Sequence, residues 1–92
     1  MSKRYPLDGE TYDRVMRRDK WCQAGTYEFG SKHPCIGHLV VHHRRTKGLG
    51  GSADPTVNAT ENLVVLCDRH HREVHDNPRR AYDCGLLVRH ST

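Results

Sequence analysis

Two short apolar segments that each end in metal-binding residue types constrain this chain more than any other feature. The first, Leu39–His43, runs from three aliphatic residues into two adjacent histidines. The second, residues 63–66, runs directly into Cys67, and three histidines follow within the next eight residues. Short segments rich in β-branched residues are typical of strands. We therefore expect two strands whose ends carry the ligands of a metal site.

The size of the chain also favours a metal. With 92 residues and a hydrophobic content of 35%, one small domain buries little apolar surface and commonly needs a disulfide or metal to stabilise it. The first residues lack the apolar stretch of an export signal, which predicts a reducing compartment where four cysteines mixed with eight histidines favour metal over disulfides. We expect a flexible arm over 1–9, a single domain over 10–92, and no membrane span.

The charge balance indicates a class of partner without establishing it. Fifteen basic and eleven acidic residues leave a net charge of +4 and an isoelectric point of about 9.1. A polyanionic partner is consistent with this balance, and so is ordinary solubility charge.

The N-terminal half combines one helix with irregular chain. The spacing predicts a helix over 10–19 with three apolar residues on its core side: Tyr12, Val15 and Met16. Residues 21–37 show no sustained period, and their glycines and proline predict a loop held by its cysteines. Residues 47–55, rich in glycine, predict another loop without a phosphate-binding fingerprint.

The C-terminal third predicts two helices. Asp68 is a good N-cap for a helix over about 69–76. Pro78 then suits the first position of a second short helix, and Gly85 suits its end. Residues 86–88 are expected to pack back on the core.

The histidines fall into a pattern that suits one ion. His71 and His75 are four residues apart, so on a helix both imidazoles lie on one face. That pair alone is a weak signal, but the histidines that end the first strand strengthen it. Because successive strand residues point to opposite faces, we expect one of His42 and His43 to complete the site while the other faces away.

A second set suits structural zinc. Cys67 and His70 have the two-residue gap of half a zinc knuckle, and Cys22 with Cys35 could supply the other half. Together they make a Cys3His set, which is a known structural zinc type.

Two residues leave alternatives open. His38 follows Cys35 at a tighter spacing and is a rival for the fourth ligand position. Cys84 is left over, and we interpret it as a buried free cysteine.

These residues resemble the HNH endonuclease family of the ββα-metal fold. The pattern His42-His43, then Asn62, then His71 with His75 is similar to that of colicin-type nuclease domains and, more closely, of small bacteriophage HNH proteins. The resemblance covers roughly residues 21–88. It implies an α+β fold: a two-stranded antiparallel ribbon, a metal-binding helix, flanking short helices and a structural zinc site.

The resemblance also implies a role for each residue. His42, His71 and His75 would bind one divalent ion, either Mg²⁺, Mn²⁺, Ni²⁺, Co²⁺ or Zn²⁺. His43 would be the general base that activates a water, and Asn62 would hold the connecting loop and orient His43. The Cys3His set would match the structural Zn²⁺ that many members carry.

The implied function is metal-dependent hydrolysis of DNA phosphodiester bonds, by nicking or double-strand cleavage. Nearby basic residues are candidates for contacts to the DNA backbone, with weak sequence preference: Arg44, Arg45, Lys47, Arg69 and Arg72. The family likeness suggests a phage origin, a host-cell cytoplasmic location, and genome packaging alongside a terminase as one setting. The alternative is a zinc-stabilised nucleic-acid-binding module without catalysis, which would not need His43.

Overall fold

A computed structural model describes residues 9–45 and 59–88, so the loop expected at 47–55 and most of the N-terminal arm lie outside the described residues. Within these two ranges the fold is a small α+β arrangement in which three α-helices pack around a two-stranded sheet. Its elements in chain order are α1 (Gly9–Asp19), β1 (Leu39–His43), a 3-10 turn (Thr60–Asn62), β2 (Leu63–Cys67), α2 (Asp68–Asp76) and α3 (Pro78–Cys84). The predicted helices and strands are thus confirmed to within one or two residues, whereas the 3-10 turn was not predicted.

The two strands form an antiparallel ladder with a simple register. It runs from Leu39 opposite Cys67 to His43 opposite Leu63. Residues that face each other across such a ladder point to the same side of the sheet. The side chain of His42, opposite Val64, therefore lies on one face of the sheet, and the side chain of His43, opposite Leu63, lies on the other face.

Helix α1 covers one face of the sheet. Val15 is fully buried there against Leu63 and Val65, and Met16 packs on the same cluster. This confirms the predicted core positions 15 and 16. Tyr12 was expected in the core as well, but it is 41% exposed and lies outside the cluster around Val15.

The larger apolar core lies on the opposite face, under α2 and α3. It also takes in residues from the irregular segment after α1 and from the chain end after α3. Its buried members are Ala24, Phe29, Val64, Leu66, Val74, Ala81, Leu86 and Leu87. The predicted return of the chain end is confirmed for Leu86 and Leu87, whereas Val88 is 37% exposed.

The start of α2 differs from the prediction. Asp68 is the first helical residue, and Cys67 is the N-cap, whose sulfur accepts the backbone N–H of His70 at 3.4 Å. The predicted N-cap at Asp68 is therefore wrong by one residue. Its carboxylate instead accepts the backbone N–H of His38 at 3.0 Å.

Helix α3 begins and ends as its sequence predicts. Pro78 occupies the first turn, where no intrahelical bond to its nitrogen is needed. Gly85 adopts a left-handed conformation with φ of 94° at the C-cap, which costs glycine little. This short turn sends the chain back toward β1, where the Val88 N–H donates to Arg44 O at 2.9 Å.

A side-chain bridge holds the end of α1 to β2. Arg18 donates to the carbonyl oxygens of Thr60 and Leu63 at 2.9 and 2.5 Å and pairs with Asp19. Asp19 in turn accepts the Val65 N–H at 2.9 Å. Burial opposes the charge on Asp19, but hydrogen bonds from Arg18 and Val65 outweigh it and lower the pKa of this carboxyl. Arg18 therefore has a structural role, because it joins the end of α1 to the start of β2.

None of the helices within residues 9–45 and 59–88 is long and apolar enough to cross a membrane.

Candidate metal centres

The hairpin and α2 bring two groups of metal-binding side chains together. In each group, one ligand atom per residue lies within 4.8 Å of the corresponding atoms of the others. The first group is Cys22, Cys35, Cys67 and His70, and the second is His42, His71 and His75. These are the two sets expected from the sequence. The junction between β2 and α2 supplies Cys67 and His70 to the first group. The residues of α2 that follow supply His71 and His75 to the second group.

The imidazole of His70 is oriented as a zinc ligand would be. Its Nδ1 lies 3.3 Å from the sulfurs of Cys22 and Cys67 and 3.7 Å from that of Cys35. A tetrahedral zinc ion with bonds of about 2.3 Å to sulfur and 2.0 Å to nitrogen separates these atoms by roughly 3.6 Å. The observed spacing fits this geometry.

The opposite nitrogen of His70 fixes its tautomer. Nε2 lies 3.0 Å from His33 O and 3.1 Å from Ser31 Oγ. A carbonyl oxygen only accepts, so Nε2 carries the proton and donates to it. Nδ1 then presents its lone pair to the three sulfurs, an arrangement typical of metal-bound histidine.

The surroundings of Cys67 favour its thiolate form, whereas burial and the neighbouring thiols raise the pKa of Cys35 to about 12. Burial also opposes ionisation of Cys67, but hydrogen bonds from the backbone N–H groups of His70 and Ile36 and from the thiols of Cys22 and Cys35 lower its pKa. Thiolate is the form that binds metal. The Cys3His group could therefore hold a metal ion and is consistent with structural zinc.

The segment that carries Cys35 is attached directly to the start of α2. Arg69 N donates to Ile36 O at 3.1 Å, and Asp68 N donates to His38 O at 2.9 Å. Gly37 between them has a φ of +93°, and a Cβ there would lie 2.6 Å from Asp68. Glycine is therefore required at this position. His38 is exposed and lies outside both groups, so the fourth position of the Cys3His group belongs to His70.

The three-histidine group combines a strand end with one face of α2. The ring centroids of His71 and His75 are 4.9 Å apart. The ring centroid of His42 lies 5.3 Å from that of His71 and 6.0 Å from that of His75. The rings meet at steep angles of 70° to 89°. These are the positions of side chains that converge on one point, since stacked rings would be near parallel.

His42 is the most constrained of the three. It is 2% exposed, and its Nε2 lies 2.6 Å from Leu86 O, so Nε2 donates and Nδ1 keeps a lone pair. Burial, together with the nearby His71, His75 and His43, lowers the pKa of His42 to about 4.

The pKa of His71 is lowered as well, by burial and by the neighbouring His75. Both imidazoles are thus neutral at physiological pH, which is the form that binds a metal ion. The donor set therefore fits a divalent ion.

Asn62 closes the segment that follows β1. Its Nδ2 donates to Arg45 O at 2.9 Å, and its Oδ1 accepts the Arg45 N–H at 2.8 Å. Its own carbonyl accepts the Arg44 N–H at 2.8 Å. These bonds begin one residue after His43, so Asn62 fixes the chain that carries His43. The expected direct orientation of the His43 side chain by Asn62 stays a prediction.

Arg44, expected at the DNA surface, is held within the protein. Its Nε donates to Gly85 O at 2.7 Å and its Nη1 to Glu61 O at 3.1 Å. The guanidinium also lies over the Tyr27 ring, 5.6 Å from its centroid. This residue joins the strand end to α3, a structural role that the sequence did not predict.

The other basic candidates are placed differently. Arg72 is exposed on α2, Arg69 is half-buried, and Arg45 is half-buried with its backbone held by Asn62. Lys47 lies outside the described residues. Cys84 is half-buried and outside the Cys3His group, so it is a free cysteine but not a buried one.

Several groups that complete the two sites were not predicted: Ser31, His33 O and Leu86 O. Two of them are backbone carbonyls, which every residue has, so no sequence signal could have identified them.

Comparison of the chain with protein-family models, curated proteins and solved structures found no match.

Proposed function

We propose that this protein is a metal-dependent endonuclease of the HNH type that hydrolyses DNA phosphodiester bonds. The observation that carries the proposal is the convergence of His42, His71 and His75 on one point, with His43 next to the first of them in the chain. A second Cys/His group lies at the other end of the same hairpin and suits a structural ion. The proposal extends to nicking or double-strand cleavage with weak sequence preference.

Three imidazoles suit a catalytic rather than a structural ion. Three protein ligands leave positions open for substrate, whereas a closed set of four does not. Nitrogen ligands accept Zn²⁺, Ni²⁺, Co²⁺ and Mn²⁺, and abundance favours Mg²⁺ in cells. Such an ion would neutralise the charge that develops on the phosphate and help the 3′ oxygen to leave.

His43 is the proposed general base. An imidazole titrates near physiological pH and can take the proton of the attacking water. The strand alternation directs His43 away from the face on which His42 meets the two helix histidines. This separation keeps the base out of the ligand set. Asn62 acts as a positioning residue, since its two bonds to Arg45 hold the chain directly after the base.

Contacts to the DNA backbone are proposed for Arg45, Lys47, Arg69 and Arg72. Such contacts position the substrate without reading sequence, and binding should weaken steeply with salt. An affinity that is flat across salt concentrations would remove them from the proposal. Arg44 contributes through the structure, because its Nε and Nη1 are engaged by protein carbonyls.

Plasmid cleavage tests the proposal directly. Wild type and His43→Ala are compared with added Mg²⁺, Mn²⁺ or Ni²⁺. We expect His43→Ala to lose roughly 100-fold or more of the rate, the usual contribution of a general base. His38→Ala is the matched control, because His38 is an exposed histidine outside both groups, and it should cut like wild type. If wild type cuts with none of the metals, or His43→Ala cuts equally well, the proposed enzyme is refuted.

The alternative, a zinc-stabilised nucleic-acid-binding module without catalysis, is favoured only by the Cys3His group. It would bind DNA, hold zinc and never cut. Anomalous scattering at the zinc edge tests the ligand set separately from activity. Cys67→Ser should lose the zinc signal, while Cys84→Ser should keep it because Cys84 lies outside the group. Retention of zinc by Cys67→Ser would reject the assignment.

A further inference from the structure

Two large apolar side chains flank the Cys3His group and are open to solvent. Trp21 directly precedes Cys22, and Ile36 directly follows Cys35. They are 66% and 58% exposed, the two highest values among the large apolar residues described as exposed. In a domain with so little apolar material, two exposed residues that adjoin cysteines of one candidate metal group in the chain are candidates for a binding role.

The backbone that carries Trp21 is fixed. Its N–H donates to Asp19 O at 2.8 Å, and its carbonyl accepts Gln23 Nε2 at 2.9 Å. The next residue but one is tied to the sheet, since Gln23 N donates to Val65 O at 2.9 Å. Lys20, just before the tryptophan, has a φ of 71°, a conformation that is uncommon outside glycine. The indole is therefore presented outward by a rigid support.

Ile36 is held in a comparable way. Its carbonyl accepts the Arg69 N–H at 3.1 Å, and its own N–H reaches the Cys67 sulfur. Because the backbone is already held, binding a partner would restrict only the rotamers of the side chain. The Cys3His group brings the two segments together, because the ligand atoms of Cys22 and Cys35 lie within 4.8 Å of each other. We name the two exposed side chains beside these cysteines the Trp21–Ile36 surface.

Basic residues border this surface. Ile36 lines a depression of about 270 Å³ together with Gly37, Asp68, Arg69 and Arg72. The Asp68 carboxylate accepts the His38 N–H. Arg69 Nε is buried and has no hydrogen-bond partner within the described residues, whereas Arg72 is exposed. Lys20, beside Trp21, is exposed. Apolar side chains edged by guanidinium and ammonium groups match the flat bases and charged phosphates of a nucleic-acid strand.

We propose that the Trp21–Ile36 surface binds unpaired bases of single-stranded DNA, with Trp21 stacking on a base and the neighbouring basic residues contacting phosphates. Bases in a duplex are stacked on one another and expose only their edges, so an indole face needs unpaired bases. The inference rests on the proposed function, to which it adds a substrate class: DNA that contains a single-stranded segment.

The chain has a single tryptophan and four tyrosines, so emission excited at wavelengths that tyrosine does not absorb reports on Trp21 alone. Zinc-loaded protein without added divalent ion is titrated with a thymidine oligonucleotide and, separately, with a blunt-ended duplex of two complementary strands that carries the same charge. We expect the oligonucleotide to quench the emission and the duplex to leave it nearly unchanged. Binding rather than cleavage is measured, so the result does not depend on whether the protein is a nuclease.

Variants measured by the anisotropy of labelled DNA identify the contact. Trp21→Ala should bind the oligonucleotide about five-fold more weakly or worse, which is the low end of stacking on one base. Trp21→Phe keeps an aromatic face and should stay close to wild type. Tyr12→Ala is the matched control, since Tyr12 is an exposed aromatic residue on α1 that adjoins no cysteine or histidine of the group. Zinc content confirms that each variant is folded.

Three outcomes overturn the proposal. The first is unchanged emission at saturating oligonucleotide, or equal affinity of Trp21→Ala and wild type. The second is an equal loss of affinity for oligonucleotide and duplex, which would make the surface a general DNA contact. The third is emission that depends on protein concentration without DNA, together with a dimer that Trp21→Ala dissociates, which would assign the surface to self-association.

Failure of the proposed nuclease is distinguishable from failure of this surface. If no plasmid is cleaved while the oligonucleotide still quenches Trp21, the nuclease is refuted and the binding of single-stranded DNA is retained.

Discussion

Removal of the Asn62 side chain should weaken the segment that follows the first strand. Asn62 is 9% exposed and makes paired hydrogen bonds to the backbone of Arg45, at 2.8 and 2.9 Å. In Asn62→Ala both bonds are lost, and the N–H and C=O of the half-buried Arg45 lose these partners. Because the paired backbone lies two residues after His43, the substitution acts on the position of the base as well as on stability.

The magnitude follows from the two bonds. Each contributes about 1 kcal/mol net, and a partner left unsatisfied in partial burial adds to the loss. We expect Asn62→Ala to lower the free energy of unfolding by about 2–3 kcal/mol. In a domain of this size each kcal/mol moves Tm by roughly 4–8 °C, so Tm should fall by roughly 10–20 °C. Urea unfolding, followed by circular dichroism, measures the change.

Asn62→Asp removes the side-chain donor to Arg45 O and keeps the acceptor of the Arg45 N–H. The carboxylate still accepts the Arg45 N–H, but its second oxygen faces Arg45 O, so at neutral pH it should be no more stable than Asn62→Ala. A protonated carboxyl donates again, which raises the folded-state pKa of this group above its unfolded value. Its stabilising contribution is then present at low pH and lost as pH rises through the folded-state pKa. The penalty relative to wild type should therefore shrink as pH falls.

Two results would refute this reasoning. One is an Asn62→Ala protein within about 0.5 kcal/mol of wild type, the range of ordinary surface changes. The other is an Asn62→Asp penalty that does not change with pH. If the proposed nuclease cuts, Asn62→Ala should also lower kcat more than it raises KM at a temperature where it is fully folded, as expected for a positioning residue.

Three further predictions concern the loop at the Cys3His group, the buried histidine and the internal arginine. Gly37→Ala should release zinc more readily and lower stability by about 1–3 kcal/mol, because its Cβ would lie 2.6 Å from a neighbouring side chain at φ +93°; zinc release to a chromogenic chelator measures this. The pKa of His42 is lowered to about 4, whereas the unfolded value is near 6.5. The stability that neutral His42 contributes, up to about 3 kcal/mol, is therefore complete above the unfolded value and is lost as pH falls toward 4. The free energy of unfolding of His42→Gln should change less between pH 7 and 5 than that of wild type. Arg44→Ala should cost about 2 kcal/mol through its two carbonyl bonds, whereas Arg72→Ala should leave stability within about 0.5 kcal/mol and instead reduce the salt dependence of DNA binding.

Each of these has a control and a contrary outcome. Gly25→Ala meets nothing within 4 Å and should keep zinc as wild type does; equal zinc release from both glycine variants would show that the close approach at Gly37 is unimportant. Parallel pH profiles of wild type and His42→Gln would contradict the assigned titration. A stable Arg44→Ala protein with a reduced salt dependence would return that arginine to the DNA surface.

Much of the local structure could be predicted because its causes are local. The aliphatic run before His42 and the one before Cys67 form strands, and Pro78 and Gly85 bound α3 through backbone properties that each residue carries with it. The start of α2 was predicted one residue late, because a thiol that accepts a backbone N–H took the place of the expected carboxylate cap.

The sequence by itself narrowed the candidate ligands to two groups, since helical spacing places His71 beside His75 and strand alternation allows only one of His42 and His43 to join them. Only the tertiary structure decided between His38 and His70, placed Arg18 and Arg44 in structural contacts, and provided Leu86 O to fix the tautomer of His42. The physical reason is that residue type and spacing specify which atoms can bind an ion. The partners that orient those atoms are backbone carbonyls and arginines distant in the chain, and packing alone brings them within hydrogen-bonding distance.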